Sequence, residues 1–409
     1  MRKTEKKRKN MLRPLFVLMI MAVAVLSGYA GPVEDFASAK GIAPAASAVV
    51  ITDLKTGKKI LSYHSDTSLI PASIMKSVTI AGLLSNSGPG KRYHTDVVTS
   101  GKISDGELDG NLIIKGVGDP SLNSSYVVGT DIIKEITDAL KEKGIKRIKG
   151  GIIIDESIWE GPAVCPTWGS DDLNHSYGTG QHGLNFEDNS SGKRSVSNPA
   201  GVFQMRLKSA LSSAGIVLEN GSLDKDKGNE TLLISHESVP YDEIMRSCMM
   251  RSDNQYAEAM LRTLAVVKGK PGSREAGAKV NTDFWRQKHA PMEGVTIEDG
   301  SGLSRKNRVT ADFMTHVLKS MWHDPYYVSF FPLAGEEGTL KNFLKDTPLA
   351  GYIAMKTGSM NGIQCYAGYK LNDDYEPTHT VVVILNQMPN RAEARKAVGN
   401  LLLKVFDGE

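Results

Sequence analysis

The longest apolar run, Leu15 to Leu26, follows a basic head (Arg2, Lys3, Lys6, Lys7, Arg8, Lys9, Arg13) and precedes the small residues of Gly28-Tyr29-Ala30. It is too short to span a bilayer comfortably, and the order basic, apolar, small predicts an export signal over residues 1–30, cut near Ala30. Beyond it, residues 45–63 alternate around the turn string Asp53-Leu54-Lys55-Thr56-Gly57, which predicts a hairpin. After Pro71 the spacing of Ile74, Met75, Val78, Ile80 and Leu83 becomes helical, and proline at the head makes Ser73 the opening of that helix. The texture changes over 92–235, where glycine-punctuated short strands such as 110–115 and 150–155 mix with helical spacing at 131–143 and 202–214. From Pro240 helices dominate until strand-like stretches at 350–355, 365–371 and 380–386, and a last helix is predicted over 391–406.

That order predicts an α+β fold in which the first and last strands meet in one antiparallel sheet, with a helical body between them and the last helix as its cover. The cluster Leu401-Leu402-Leu403 with Val405 and Phe406 lacks a broad basic face, so core packing is favoured over a membrane-surface anchor. Without residues 1–30, Lys+Arg drops from 49 to 42 and Asp+Glu from 46 to 45, so the formal charge moves from +3 to −3. The basicity belongs to the leader, and nothing points to nucleic acid. Cys165, in the loop-like Pro162–Pro166 stretch, and Cys248 and Cys365, beside apolar residues, form no disulfide framework and allow one bridge at most.

Three strings stand in one order: Ser73-Ile74-Met75-Lys76, Ser252-Asp253-Asn254 and Lys356-Thr357-Gly358. Ser-x-x-Lys recurs at Ser190/Lys193 and Ser222/Lys225, and Lys55-Thr56-Gly57 repeats the third, but only one ordered triple survives. It is the set shared by penicillin-binding proteins and class A β-lactamases. A serine hydroxyl needs a base within reach and donors for the oxygen that becomes negative. Residues three apart share a helix face, so Lys76 comes up beneath Ser73, whose helix N-terminus favours an oxyanion. Lys76 must be neutral to act, and burial together with a second cation, Lys356, pushes it that way. In an extended turn Ser252 and Asn254 face one cleft while Asp253 points away. Ser252 then relays a proton to the leaving amine, and Asn254 holds Lys76 and the substrate backbone. Lys356 and Thr357 suit a terminal carboxylate, and Gly358 lets a peptide approach as an added strand. The backbone N–H of Ser359, paired with that of Ser73, completes the oxyanion site.

The chain resembles the peptidase S13 family, the penicillin-binding protein 4 type of D-alanyl-D-alanine carboxypeptidase/endopeptidase. The resemblance also includes Gly118-Asp119-Pro120-Ser121-Leu122, Ile154-Asp155-Glu156-Ser157, Ser252 through Glu258, Asp299-Gly300-Ser301-Gly302-Leu303-Ser304-Arg305 with Asn307, and Leu333 through Leu340. It implies a serine DD-peptidase/β-lactamase-like fold with an inserted, strand-rich mixed domain. The chain then divides into a signal peptide (1–30), a transpeptidase-like domain in two parts (31–91 and 236–409) and the insert (92–235). It implies Ser73 as nucleophile, Lys76 as base, and Ser252, Asn254, Lys356 and Thr357 in the other two motifs. It also implies that Arg305, Asp172 and Asn361 line the subsite for the diamino-acid side chain of a peptidoglycan stem peptide. Family members often nest a further domain where only about 18 residues separate Asn185 from Phe203 here, so that domain is expected to be missing or reduced.

The expected enzyme is periplasmic, needs no metal or cofactor, cleaves D-Ala-terminated or D-Ala-crosslinked peptides and is acylated by β-lactams. Carboxypeptidase and endopeptidase cleavage, peripheral membrane association and oligomeric state are all left open. A serine β-lactamase of class A would need a Glu-x-x-Leu-Asn string, which is absent between Ser73 and Lys356. A catalytically silent wall-binding or β-lactam-sensing protein is disfavoured by the intact triple. A metallopeptidase finds no His-Glu-x-x-His pair among the nine histidines.

Overall fold

The computed structural model describes residues 31–219, 221 and 230–406, so the predicted leader lies outside the described residues. In chain order the main elements are β1 (Ser47–Asp53), β2 (Lys59–Tyr63), α1 (Met75–Ser87), β3 (His94–Ser100), β4 (Leu112–Lys115), α2 (Ile132–Glu142), β5 (Ile152–Asp155), α3 (Pro199–Ser213) and β6 (Glu230–Glu237). They continue with α4 (Tyr241–Arg251), α5 (Asn254–Val267), α6 (Arg274–Gln287), α7 (Ala311–Met321), β7 (Ile353–Met360), β8 (Ile363–Leu371), β9 (Pro377–Leu385) and α8 (Arg391–Val405).

The central sheet has the order β7-β8-β9-β1-β2 and is antiparallel throughout. The first and last strands meet through Ser47 opposite Leu385 and Asp53 opposite His379. The expected hairpin forms around Gly57, but its alternation is not one of inside and outside. Ala48 to Ile51 are all fully buried, because Val50 faces the helices while Val49 and Ile51 face the layer containing α8. A sheet covered on both faces reads as a continuous apolar run. α8 lays Val398, Leu401, Leu402 and Phe406 into that second core. β7 extends to Met360, beyond the point where its apolar pattern stops, because the Lys356-Thr357-Gly358 segment is strand without carrying that pattern.

On the other face, α1 and α5 are buried all round, Met75 to Leu84 in one and Asn254 to Ala265 in the other. Both helices thus lie inside the protein, and the polar side chains they carry there, among them Lys76, Asn254 and Glu258, are held by packing on every side. Residues 92–237 carry a four-stranded sheet in the order β6-β3-β4-β5, covered by α2 and α3 around Phe203, Leu207, Ile132 and Ile136. A second sheet there joins four short strands, Lys102–Ser104, Glu107–Asp109, Arg147–Ile148 and Val217–Leu218. Cys165, Cys248 and Cys365 are buried free thiols. Among the described residues no helix is long and apolar enough to cross a membrane.

Candidate active site

Ser73 sits in a single 3-10 turn, Ala72–Ile74, that leads into α1 rather than in the α-helix itself. The cause lies one residue earlier, where Ala72 has φ +47°, a left-handed value a non-glycine residue holds only when its surroundings enforce it. Two glycines press on this turn. A Cβ on Gly302, whose own φ is +83°, would meet the Ala72 carbonyl at 1.9 Å, and one on Gly358 would meet the Pro71 carbonyl at 2.6 Å and the Ser73 nitrogen at 3.1 Å. Gly358 is therefore required by the close approach of β7 to the chain's own serine turn. That requirement of the chain's own packing stands beside the expected use of its smallness for an incoming peptide. Upstream, Asn386 accepts from the Ile70 N–H (2.8 Å) and donates to the Ile70 carbonyl (3.0 Å), fixing the approach to the turn. Gly302→Ala is expected to cost about 2 kcal/mol or more, from its positive φ and the backbone clash, and to slow Ser73 acylation by displacing Ala72. Denaturant melts paired with adduct kinetics check this.

Lys76 is fully buried, and its Nζ lies 2.9 Å from Ser73 Oγ, 2.6 Å from Asn254 Oδ1 and 2.7 Å from the Ser301 carbonyl. Burial pushes its ammonium down from the ordinary lysine value. The carboxylates of Asp253, Asp299 and Glu258 pull it back up, whereas Cys248, itself pushed up to about 12 by burial, stays a thiol and brings no charge at neutral pH. Lys356, the expected second cause, acts in the other direction of the pair: burial first, and then the charge of Lys76, hold Lys356 well below a normal lysine. A neutral amine has two N–H groups and one lone pair. With the two N–H groups donated to Asn254 Oδ1 and the Ser301 carbonyl, the lone pair is left facing the Ser73 hydroxyl.

Ser252 and Asn254 converge on this point, but not through an extended turn. Ser252 is left-handed (φ 61°, ψ 41°) at the end of α4, and Asp253 caps α5 by accepting the Tyr256 N–H at 3.0 Å. The break between two helices is what turns both side chains inward. Lys356 Nζ donates to Ser252 Oγ (2.8 Å) and to the Thr357 carbonyl (2.7 Å), while Thr357 Oγ1 donates to Thr339 Oγ1 (2.7 Å). Asn254 Nδ2 donates to the Tyr177 carbonyl (2.7 Å), which brings residues 172–178 to the rim of the site.

The three further residues divide. Arg305 Nη2 donates to the Asn361 carbonyl (3.1 Å), and both line a cavity of about 310 Å³ with Ile70, Arg308 and Asn386. Asp172 instead accepts the Tyr177 hydroxyl (3.1 Å), and no hydrogen bond or ion pair among the described residues links it to Arg305. A larger cavity, about 650 Å³, opens beside Trp322, Phe331 and Tyr375 and is lined by no residue of the three catalytic strings. The carbonyls of Ser301 and Tyr177 and the hydroxyl of Thr339 were missed by sequence reasoning. Ser301 and Thr339 do lie inside strings that carried the resemblance, which was the available signal.

An antiparallel sheet packed with helices, carrying a serine and a buried lysine at the head of its central helix, is the arrangement of the serine acyl-transfer enzymes to which penicillin-binding proteins and class A β-lactamases belong. Residues 31–191 and 186–404 match the D-Ala-D-Ala carboxypeptidase 3 (S13) family. The chain belongs to that family. It is 23% identical to the D-alanyl-D-alanine carboxypeptidase of Actinomadura sp. (strain R39) over 423 residues, covering 83% of this chain and 77% of that one. The crystal structure of penicillin binding protein 4 (dacB) from Haemophilus influenzae shares its fold, with a TM-score of 0.81 and 21% identity over 92% of this chain and 100% of that one. The same Haemophilus influenzae protein complexed with a β-lactam matches with a TM-score of 0.74 and 22% identity, over the same shares of the two chains.

Proposed function

We propose that the protein is an exported D-alanyl-D-alanine peptidase that cleaves peptidoglycan stem peptides, or their D-Ala crosslinks, through an acyl-enzyme on Ser73. The observation that carries this is Lys76 Nζ, buried and 2.9 Å from Ser73 Oγ with two carbonyl acceptors for its N–H groups. Lys76 takes the Ser73 proton as the hydroxyl attacks the D-Ala carbonyl; that proton is then relayed through Ser252, which gives its own hydroxyl proton to the amine of the departing terminal D-Ala and takes the one from Lys76 in return. Lys356 keeps Ser252 in place and, with Thr357, offers N–H and hydroxyl donors to the substrate carboxylate, whose negative charge favours the protonated form of Lys356.

The edge of β7 supports binding of the substrate as an added strand. Met355 N–H and the Ile353 carbonyl bond outward to Pro332 and Ala334, so by the two-residue period Thr357 and Ser359 turn their backbone groups to the same edge, beyond the point where residues 332–334 cover it. Ser359 N–H is then the partner of Ser73 N–H for the oxyanion. The cavity beside Arg305 and Asn361 takes the diamino-acid side chain, with Asp172 contributing from the Tyr177 loop. The protein is delivered by the 1–30 signal peptide, and the 92–235 insert is a separate domain within the 31–91 and 236–409 body. β-Lactams act as covalent inhibitors at Ser73, as cyclic amides whose carbonyl meets the same nucleophile.

Incubation with a peptide ending in D-Ala-D-Ala, and separately with a D-Ala-crosslinked muropeptide dimer, is expected to release free D-Ala or monomer. Benzylpenicillin is expected to block both. Hydrolysis of the drug with neither peptide cleaved would overturn this reading in favour of a β-lactamase.

A further inference from the structure

The Ser301 carbonyl that receives Lys76 is set by residues behind it. Glu258, one turn beyond Asn254 on α5, is buried, and its Oε1 accepts the N–H groups of Gly300 (3.0 Å) and Ser301 (2.8 Å). Asp299 Oδ1 accepts the N–H of Gly302 at 2.8 Å. Three consecutive amides therefore end on two buried carboxylates. The Gly300 carbonyl accepts from Thr79 Oγ1 at 2.8 Å, one turn along α1, which leaves the next carbonyl, that of Ser301, for Lys76 Nζ. Without that acceptor the amine is free to turn about its terminal bond, and its lone pair is no longer held on the Ser73 hydroxyl.

We propose that Glu258 is a positioning residue for acylation: by holding the amides of Gly300 and Ser301 it keeps the Ser301 carbonyl on Lys76, and so keeps the Lys76 lone pair on Ser73. The inference rests on Lys76 being the base, as above.

The charges around Glu258 give the role a signature. Burial, and then Asp299 from the facing loop, push its carboxyl up to about 7, while Arg262, one turn further along α5, pulls it down. Lys76 faces it from α1 and Cys248, a thiol, from α4. From α6, packed on α5, Arg274 acts on Arg262. As an anion Glu258 favours the charged form of Lys76, so a neutral amide in its place lowers the pH at which Lys76 loses its proton.

The test is the second-order rate of Ser73 acylation by benzylpenicillin from about pH 5 to about pH 9, on the wild type, Glu258→Gln and Glu258→Ala, with thermal melts of each. Glu258→Gln keeps an acceptor oxygen. It is expected to hold the high-pH rate within about threefold, with the acid limb about one pH unit lower. Glu258→Ala loses the acceptor and is expected to drop the high-pH rate by about tenfold to a hundredfold. Wild-type rates and an unmoved limb in both variants would overturn the inference. Should the alanine variant not fold, an unmoved limb in Glu258→Gln alone overturns it. If the wild type itself takes no drug, it is the reading of the site that fails; if only the variants are indifferent, the role of Glu258 fails and the site stands.

Discussion

Ser73→Ala is expected to take up no benzylpenicillin and to release D-Ala from peptide substrates roughly 10⁵- to 10⁶-fold more slowly than the wild type, the scale on which a serine enzyme depends on its nucleophile. The loss is chemical because the turn survives the change. Ala72 and the two glycines pressed against it set the backbone there, and the Ser73 side chain contributes one contact, to Lys76. Lys76 keeps Asn254 Oδ1 and the Ser301 carbonyl as partners. Melting of the variant should therefore stay within about 1 kcal/mol of the wild type. An unfolded variant would leave the turn's rigidity, rather than the hydroxyl, as the explanation of lost activity, so near-ultraviolet circular dichroism belongs beside the kinetics.

Lys76→Ala is expected to lower acylation by roughly 10²- to 10⁴-fold, the usual contribution of a positioned base, and to abolish its pH dependence on the acid side. The sign follows from the environment. Burial lowers the Lys76 value, so the neutral amine is populated below the pH at which a solvated lysine would lose its proton. In the wild type the rate is full above that lowered value and falls about tenfold per pH unit beneath it. Lys76→Arg should not rescue, because a guanidinium stays charged and offers no lone pair. A rate that stays flat from about pH 9 to about pH 5 would remove Lys76 as the base.

Much of this site was legible because its closest relations are short in sequence. A three-residue step from the 3-10 turn into α1 brings Lys76 to Ser73, and two residues at a helix break bring Ser252 and Asn254 to one cleft. The sheet was legible in its strand membership, since the order of elements put strand-like stretches at both ends of the chain with a helical body between them. What stayed hidden has physical reasons. The carbonyls of Ser301 and Tyr177 are backbone groups, and a backbone acceptor leaves no mark on residue type. The packing of Gly358 on the serine turn was not foreseen because a glycine announces a close approach without saying what approaches. The strain at Ala72 was invisible because alanine is an ordinary helix residue, and only the packing of Gly302 and Gly358 forces it left-handed. The carboxylates of Asp253, Asp299 and Glu258, which draw the Lys76 charge back up, were not foreseen because they lie far from it in sequence.

Acylation of Ser73 is tested by a time course of intact-protein mass spectrometry with benzylpenicillin, followed by peptide mapping of the adduct. One added drug mass per chain is expected, persisting for hours and located on the peptide that contains Ser73. An adduct on any other residue, rapid turnover of the drug with the protein left unmodified, or no adduct at all would contradict it.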